Sequence, residues 1–160
     1  MVVGPGRRGG LTRFWHTVTT SNKSTSMSQQ DNLAIVREIY DAVGRGDVTA
    51  ILDRVSDDAD WAAEAASKTA PWHGPRAGKD GVASFFSDLA TSIEIGAFAP
   101  HSFAAGEDDV HLLVDWTIRS LKTGREASMT MHHYWRLRDG QVTYFRGSED
   151  TELTAEVFAA

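Results

Sequence analysis

Leu33, Val36, Ile39, Tyr40 and Val43 recur at three- and four-residue steps, the period of one face of a helix. Gly44 and Gly46 end that run. Asp47 is placed to cap a second, short helix bearing Val48, Ile51, Leu52 and Val55. A strand pattern follows over residues 60–66, then a loop marked by Pro71, Gly74, Pro75 and Gly78. Asp80 opens a third helix, with Val82, Phe85, Phe86 and Leu89 as its apolar stripe.

Beyond that helix the period changes to two. Residues 93–105 form one strand, with a kink expected at Pro100. Residues 110–121 form the next, with Val110, Leu112, Val114, Trp116 and Ile118 alternating. A turn at Lys122-Thr123-Gly124 leads to a strand over 126–138. Met129, Met131, His133, Trp135 and Leu137 share one of its faces; Thr130, His132, Tyr134, Arg136 and Arg138 share the other. Asp139-Gly140 signals a hairpin into a last strand over 142–149, after which Thr151 is placed to cap a terminal helix. Helices first and an antiparallel sheet after them define an α+β domain. The expected architecture is a cone-shaped α+β barrel, a strongly curved antiparallel sheet wrapped around the N-terminal helices.

Composition narrows the function classes. The 160 residues are 41% hydrophobic and 24% charged, ordinary values for one globular domain. The chain has no cysteine, which excludes disulfides, thiolate ligands and cysteine nucleophiles and suits a reducing, cytoplasmic setting. No apolar run approaches the roughly 20 residues of a membrane span, so no membrane partner is expected. The formal net charge is −6, and Arg7, Arg8, Arg13 and Lys23 all precede Asp31. Without those four cations, 12 Lys+Arg face 22 Asp+Glu, a balance of −10 that argues against a nucleic-acid partner.

The first 28 residues read differently from the rest. They are rich in Gly, Ser, Thr and Arg and show neither period, the pattern of a disordered extension before a domain spanning 29–160. A transit peptide, a nucleic-acid arm and an over-extended start with Met27 as the natural first residue are the competing readings, and the last is favoured. Intact-mass analysis of the native protein tests this: a mass that includes Met1 excludes it.

Three stretches carry a family resemblance. They are Ile39-Tyr40-Asp41-Ala42 through Gly46-Asp47 to Val55-Ser56-Asp57-Asp58-Ala59; Trp72-His73-Gly74-Pro75 with Gly78 and Gly81-Val82; and His133-Tyr134-Trp135-Arg136-Leu137-Arg138-Asp139-Gly140-Gln141-Val142, ending in Phe145-Arg146 and Asp150-Thr151. In this order and spacing they resemble a SnoaL-like domain of the nuclear-transport-factor-2-like superfamily, the ketosteroid isomerase and polyketide cyclase fold. The resemblance implies a cone enclosing a hydrophobic small-molecule pocket and, commonly, a homodimer through the sheet. It does not imply one reaction, because function resides in the site and not in the fold.

Two known chemistries of that superfamily lack their residues here. A ketosteroid isomerase uses an Asp base with Tyr and neutral Asp donors. The corresponding positions hold Ala63, Ile39 and His133, with Glu64 one residue from the base position. The Asp–Arg–Asp set of limonene-epoxide-hydrolase-like enzymes maps near Val114, Trp116 and Gly147, with Asp115 one residue out of register.

The remaining candidates are few. His133 lies on an otherwise apolar strand face, at the position where the superfamily keeps a catalytic donor. It reads either as an acid/base group, with the ordinary imidazole pKa of about 6.5, or as a core histidine satisfied by a backbone carbonyl. Glu149 and Glu64 are candidate carboxylates to orient it or share its proton; for Glu64 a solvated edge position is the preferred reading. Trp61, Trp72, Trp116, Met131, Trp135 and Phe145 are candidate pocket walls, with core packing as the plainer alternative. His73, in the Trp72-His73-Gly74 loop, is expected either to touch ligand or to cap the third helix. Adjacent His132 and His133 point to opposite faces of a strand and cannot share an ion, so no metal and no cofactor are expected. The function that follows is a cofactor-independent isomerase, cyclase or hydrolase acting on a hydrophobic organic molecule by acid/base catalysis. The alternative is a non-catalytic ligand-binding or assembly module of the same fold.

Overall fold

Helix α1 (Gln29–Arg45) is capped by Ser28, one turn ahead of Leu33, the first residue of the apolar stripe. The Ser28 hydroxyl accepts from the Asp31 N–H at 3.2 Å, and the Asp31 carboxylate accepts from the Ser28 N–H at 3.0 Å. That reciprocal box satisfies two donors the helix cannot satisfy itself. Gly46 ends the helix in the left-handed region at φ 67°. The computed structural model describes residues 27–160, and the readings made for residues 1–26 lie outside it.

Helix α2 (Val48–Asp53) is capped by Asp47, whose carboxylate accepts from the Ala50 N–H at 3.0 Å. Strand β1 (Val55–Glu64) begins five residues earlier than the alternation indicates. The polar run Ser56-Asp57-Asp58 hid its start, and its register shifts between Val55 and Asp60. Strand β2 (Gly74–Ala77), read from sequence as loop, is a short edge strand, a position where Pro75 is tolerated.

Helix α3 (Gly78–Ser92) begins at Gly78, with no side-chain cap at Ala77. A methyl at Gly78 would lie 2.7 Å from the Asp57 carbonyl, and φ is +63°, so this junction requires glycine. Asp80 sits within the first turn, where its charge faces the positive end of the helix dipole. His73 does not cap this helix.

Strand β3 (Ile93–Ala105) has the expected span, but its ladder is irregular between Ile95 and Phe98 and between His101 and Ala104, not at Pro100, which pairs with Val114. Strands β4 (Asp109–Ser120), β5 (Glu126–Arg138) and β6 (Gln141–Ser148) follow the alternation closely. Asp139 and Gly140 turn β5 into β6 with φ of 52° and 76°. Helix α4 (Thr151–Phe158) is capped by Asp150, not by Thr151.

The strands form one sheet in the order β2-β1-β6-β5-β4-β3. The class is α+β, as expected, but the sheet is mixed: β1 and β6 run parallel and every other pair is antiparallel. A parallel pair needs a long crossover, and everything between the two strands serves as one. The sheet is a cone left open, with β2 and β3 as its edges, and not a closed barrel. Its inner face buries Trp61, Val114, Trp116, Trp135 and Phe145 against Ile35, Val36 and Ile39 of α1 and Val82 and Phe85 of α3.

Candidate functional site

The core does not fill the cone. A cavity of about 260 Å³ lies between the inner face of the sheet and α1, α2 and α3. Trp61, Trp72, Trp116, Met131, Trp135 and Phe145 all line it while almost wholly buried. Gly46, Val48, Leu89, Ala90 and Ile95 also line it and are exposed or half-buried. Apart from the indoles, the polar side chains lining it are Tyr40, His133 and Glu149.

Two hydrogen-bonded groups supply them. In the first, Trp135 Nε1 donates to the Tyr40 hydroxyl at 3.2 Å, and that hydroxyl is hydrogen-bonded to His133 Nδ1. The hydroxyl has one proton, and Nδ1 is the acceptor beside it. Satisfying every partner leaves Nδ1 bare and puts the imidazole proton on Nε2. Among the described residues Nε2 has no partner, and it is not among the sealed polar atoms. Burial pushes the His133 pKa down to about 3, and the neighbouring His132 adds to the shift. Burial pushes the Tyr40 phenol up, against the opposing hydrogen bond from Trp135. At neutral pH the chain Trp135–Tyr40–His133 is therefore uncharged and ends in an N–H donor.

The second group is a carboxylate held from behind. Glu149 Oε1 is hydrogen-bonded to His73 Nε2 and accepts from the Thr154 hydroxyl at 3.2 Å. The His73 side chain has no solvent exposure and that of Glu149 4%. His73 Nδ1 is buried without a partner, so the ring proton belongs on Nε2, facing the carboxylate. Glu149 Oε2 takes no hydrogen bond among the described residues and is not among the sealed polar atoms; Glu149 lines both this cavity and an outer cleft beside Glu64 and Arg146.

Chain geometry sets these groups side by side. His133 on β5 pairs with Gly147 on β6, and Gly147 pairs with Ala63 on β1. Glu149 follows two residues after Gly147 and so returns to the same face, roughly 7 Å along the chain.

Several sequence expectations are redrawn. His133 is satisfied by a tyrosine hydroxyl, not by a backbone carbonyl, and neither glutamate is its partner. Glu64 does not line the cavity: its side chain is 58% exposed and its carboxylate lies 3.2 Å from Arg146 Nε on the outer face. His73 supports Glu149 from outside the lining. Tyr40 and Thr154 were missed as site residues; a tyrosine within the apolar stripe of α1 was the available signal, because a buried phenol needs a partner.

Among the described residues no group of three His, Asp or Glu could hold a metal ion. No helix among them is long and apolar enough to cross a membrane.

With the open cone and its lined cavity established, comparison with known proteins gives the class. A model of the SnoaL-like domain matches residues 36–145, and the chain belongs to that family. The fold is that of an NTF2-like protein of unknown function from Burkholderia pseudomallei, at 26% identity and TM-score 0.75 over 81% of this chain and 98% of that one. A similar likeness, at 23% identity and TM-score 0.73 over 81% and 99%, holds to TerC, co-crystallised with polyporic acid. A protein from Xanthomonas campestris, provisionally described as a polyketide cyclase, superposes with TM-score 0.67 at 16% identity over 82% and 98%. No curated protein matches the sequence.

Proposed function

We propose that this chain is a cofactor-independent acid/base enzyme of the isomerase or cyclase type, acting on a small, largely apolar carbonyl compound. One observation carries the reading: an apolar cavity is lined by both Glu149, which keeps one carboxylate oxygen unpartnered, and His133, which keeps one ring nitrogen unpartnered. Its volume of about 260 Å³ falls just below the roughly 300–1,000 Å³ typical of ligand pockets, which suits one or two rings.

Glu149 removes a proton from the carbon next to the carbonyl. The electron pair of that C–H bond moves into the new C=C bond, and charge develops on the carbonyl oxygen. His133 Nε2–H donates a hydrogen bond to that oxygen without giving up its proton: burial keeps the ring neutral at working pH, and the N–H of a neutral imidazole is far too weak an acid to be lost there. His73 and Thr154 hold Glu149 in place throughout. An isomerase returns the proton from Glu149 at another carbon; a cyclase lets the enolate carbon attack a second carbonyl.

The same reading takes the chain as a cytoplasmic homodimer pairing through the outer face of the sheet. There Arg146 stacks 4.0 Å over Tyr144, and Tyr134 lies edge-on beside it.

The test is deuterium exchange at C2 of 1-tetralone in D2O, followed by NMR. The protein should accelerate exchange, and Glu149→Gln, which keeps the shape and removes the base, should lower the rate by at least roughly 100-fold. Equal rates in the two proteins would exclude Glu149 as the base. Binding of a ketone panel with no exchange would favour the non-catalytic module.

A further inference from the structure

Gly147 stands inside β6, where glycine weakens a strand and commonly marks the close approach of a ligand or another backbone. Its φ lies outside the left-handed region, so backbone conformation does not call for glycine. Space does. A methyl there would stand 3.2 Å from Phe145 Cζ and 3.4 Å from both Cδ2 and Nε2 of His133. Gly147 lines the cavity, with His133 beside it on β5 and Ala63 beside it on β1. The result is a notch floored by bare backbone, walled by a small residue on one side and by the free edge of the imidazole on the other.

We infer that Gly147 is a specificity-determining residue, whose missing side chain holds open the place where one carbonyl oxygen of the ligand meets His133 Nε2–H. This rests on the donor role given to His133 above. A hydrogen-bonded oxygen must come to about 2.9 Å from Nε2, and a methyl already 3.4 Å from the same nitrogen would occupy that approach. The notch admits one oxygen, and the rest of the cavity is apolar apart from Tyr40 and Glu149. The ligand class is thus a cyclic ketone or enone whose acidic C–H lies on the Glu149 side of its carbonyl.

Binding tests the notch independently of turnover. Calorimetry on the full chain compares 1-tetralone with tetralin, the same skeleton without the oxygen. Gly147→Ala should weaken 1-tetralone roughly tenfold, about the contribution of one hydrogen bond, and leave tetralin within about twofold. In the unsubstituted protein the His133 Nε2–H resonance should shift downfield with 1-tetralone and not with tetralin; in Gly147→Ala it should shift with neither. Gly147→Ala/Phe145→Leu relieves the 3.2 Å contact yet keeps the methyl beside Nε2, so it should show the same selective loss and serves if the single variant fails to fold. Equal loss for both ligands, or no loss for 1-tetralone, would overturn the notch. A selective loss without deuterium exchange would leave the notch standing and remove the catalytic reading instead.

Discussion

His133→Gln should flatten the acid side of the stability curve. In the folded chain burial holds the His133 pKa at about 3, against about 6.5 for a free imidazole. Between those values the unfolded chain carries the proton and the folded chain does not. Stability depends on pH as 2.303RT times the protons bound by the unfolded state minus those bound by the folded state. That difference approaches one here, so stability falls with falling pH by up to about 1.4 kcal/mol per unit. The contribution is fully present above pH 6.5 and is lost progressively towards pH 3. Across the whole window it amounts to roughly 5 kcal/mol; between pH 6.5 and 5, above the range where most carboxylates titrate, it is about 2 kcal/mol. Gln is neutral throughout and can still accept from Tyr40. Urea unfolding at pH 7.5, 6.5, 5.5 and 5.0 gives both curves, and their difference isolates this one group. Parallel curves would show that His133 takes up its proton inside the folded cone, and the neutral-donor mechanism would fall with that result.

Tyr40→Phe keeps the ring and orphans both Trp135 Nε1 and His133 Nδ1; the expected cost is about 2–4 kcal/mol in urea unfolding at pH 7.5, and a cost below about 0.5 kcal/mol would show that the two groups find water or each other. Sedimentation equilibrium at micromolar concentration should give twice the chain mass if the outer face of the sheet pairs copies, and a single-chain mass would exclude that assembly.

The parts of the fold that were legible are those governed by neighbours along the chain. The stripe from Leu33 to Val43 and the alternation of β4 and β5 report burial directly, because one face of each element meets the core. The start of β1 was hidden because Ser56, Asp57 and Asp58 are polar in a strand whose pairing partner lies far along the chain. The short strand β2 carries two residues, Gly74 and Pro75, that usually disrupt strands, and it is tolerated only at an edge. For the site, His133 stood out as a polar residue on an apolar face, and Glu149 by parity with Phe145. Their partners were not legible. Tyr40 and His133 are 93 residues apart, and His73 and Glu149 are 76 apart. Such pairings are set by how helices seat in a curved sheet, which no local period encodes.

The parallel seam between β1 and β6 also imposes an order in time. Asp60 and Arg146, joined across that seam, are separated by 86 residues. A chain made from its N-terminus presents β1, with Trp61 uncovered, long before β6 exists to flank it. Closing a loop of this size is entropically costly and slow. Until then the nascent domain is a half-cone with an unpaired strand edge and an open apolar interior, the kind of surface that chaperones hold and that aggregates when they do not. Gly147 lies in β6 and Glu149 just beyond it, so the cavity acquires its carboxylate only after the strand that completes the seam has been made.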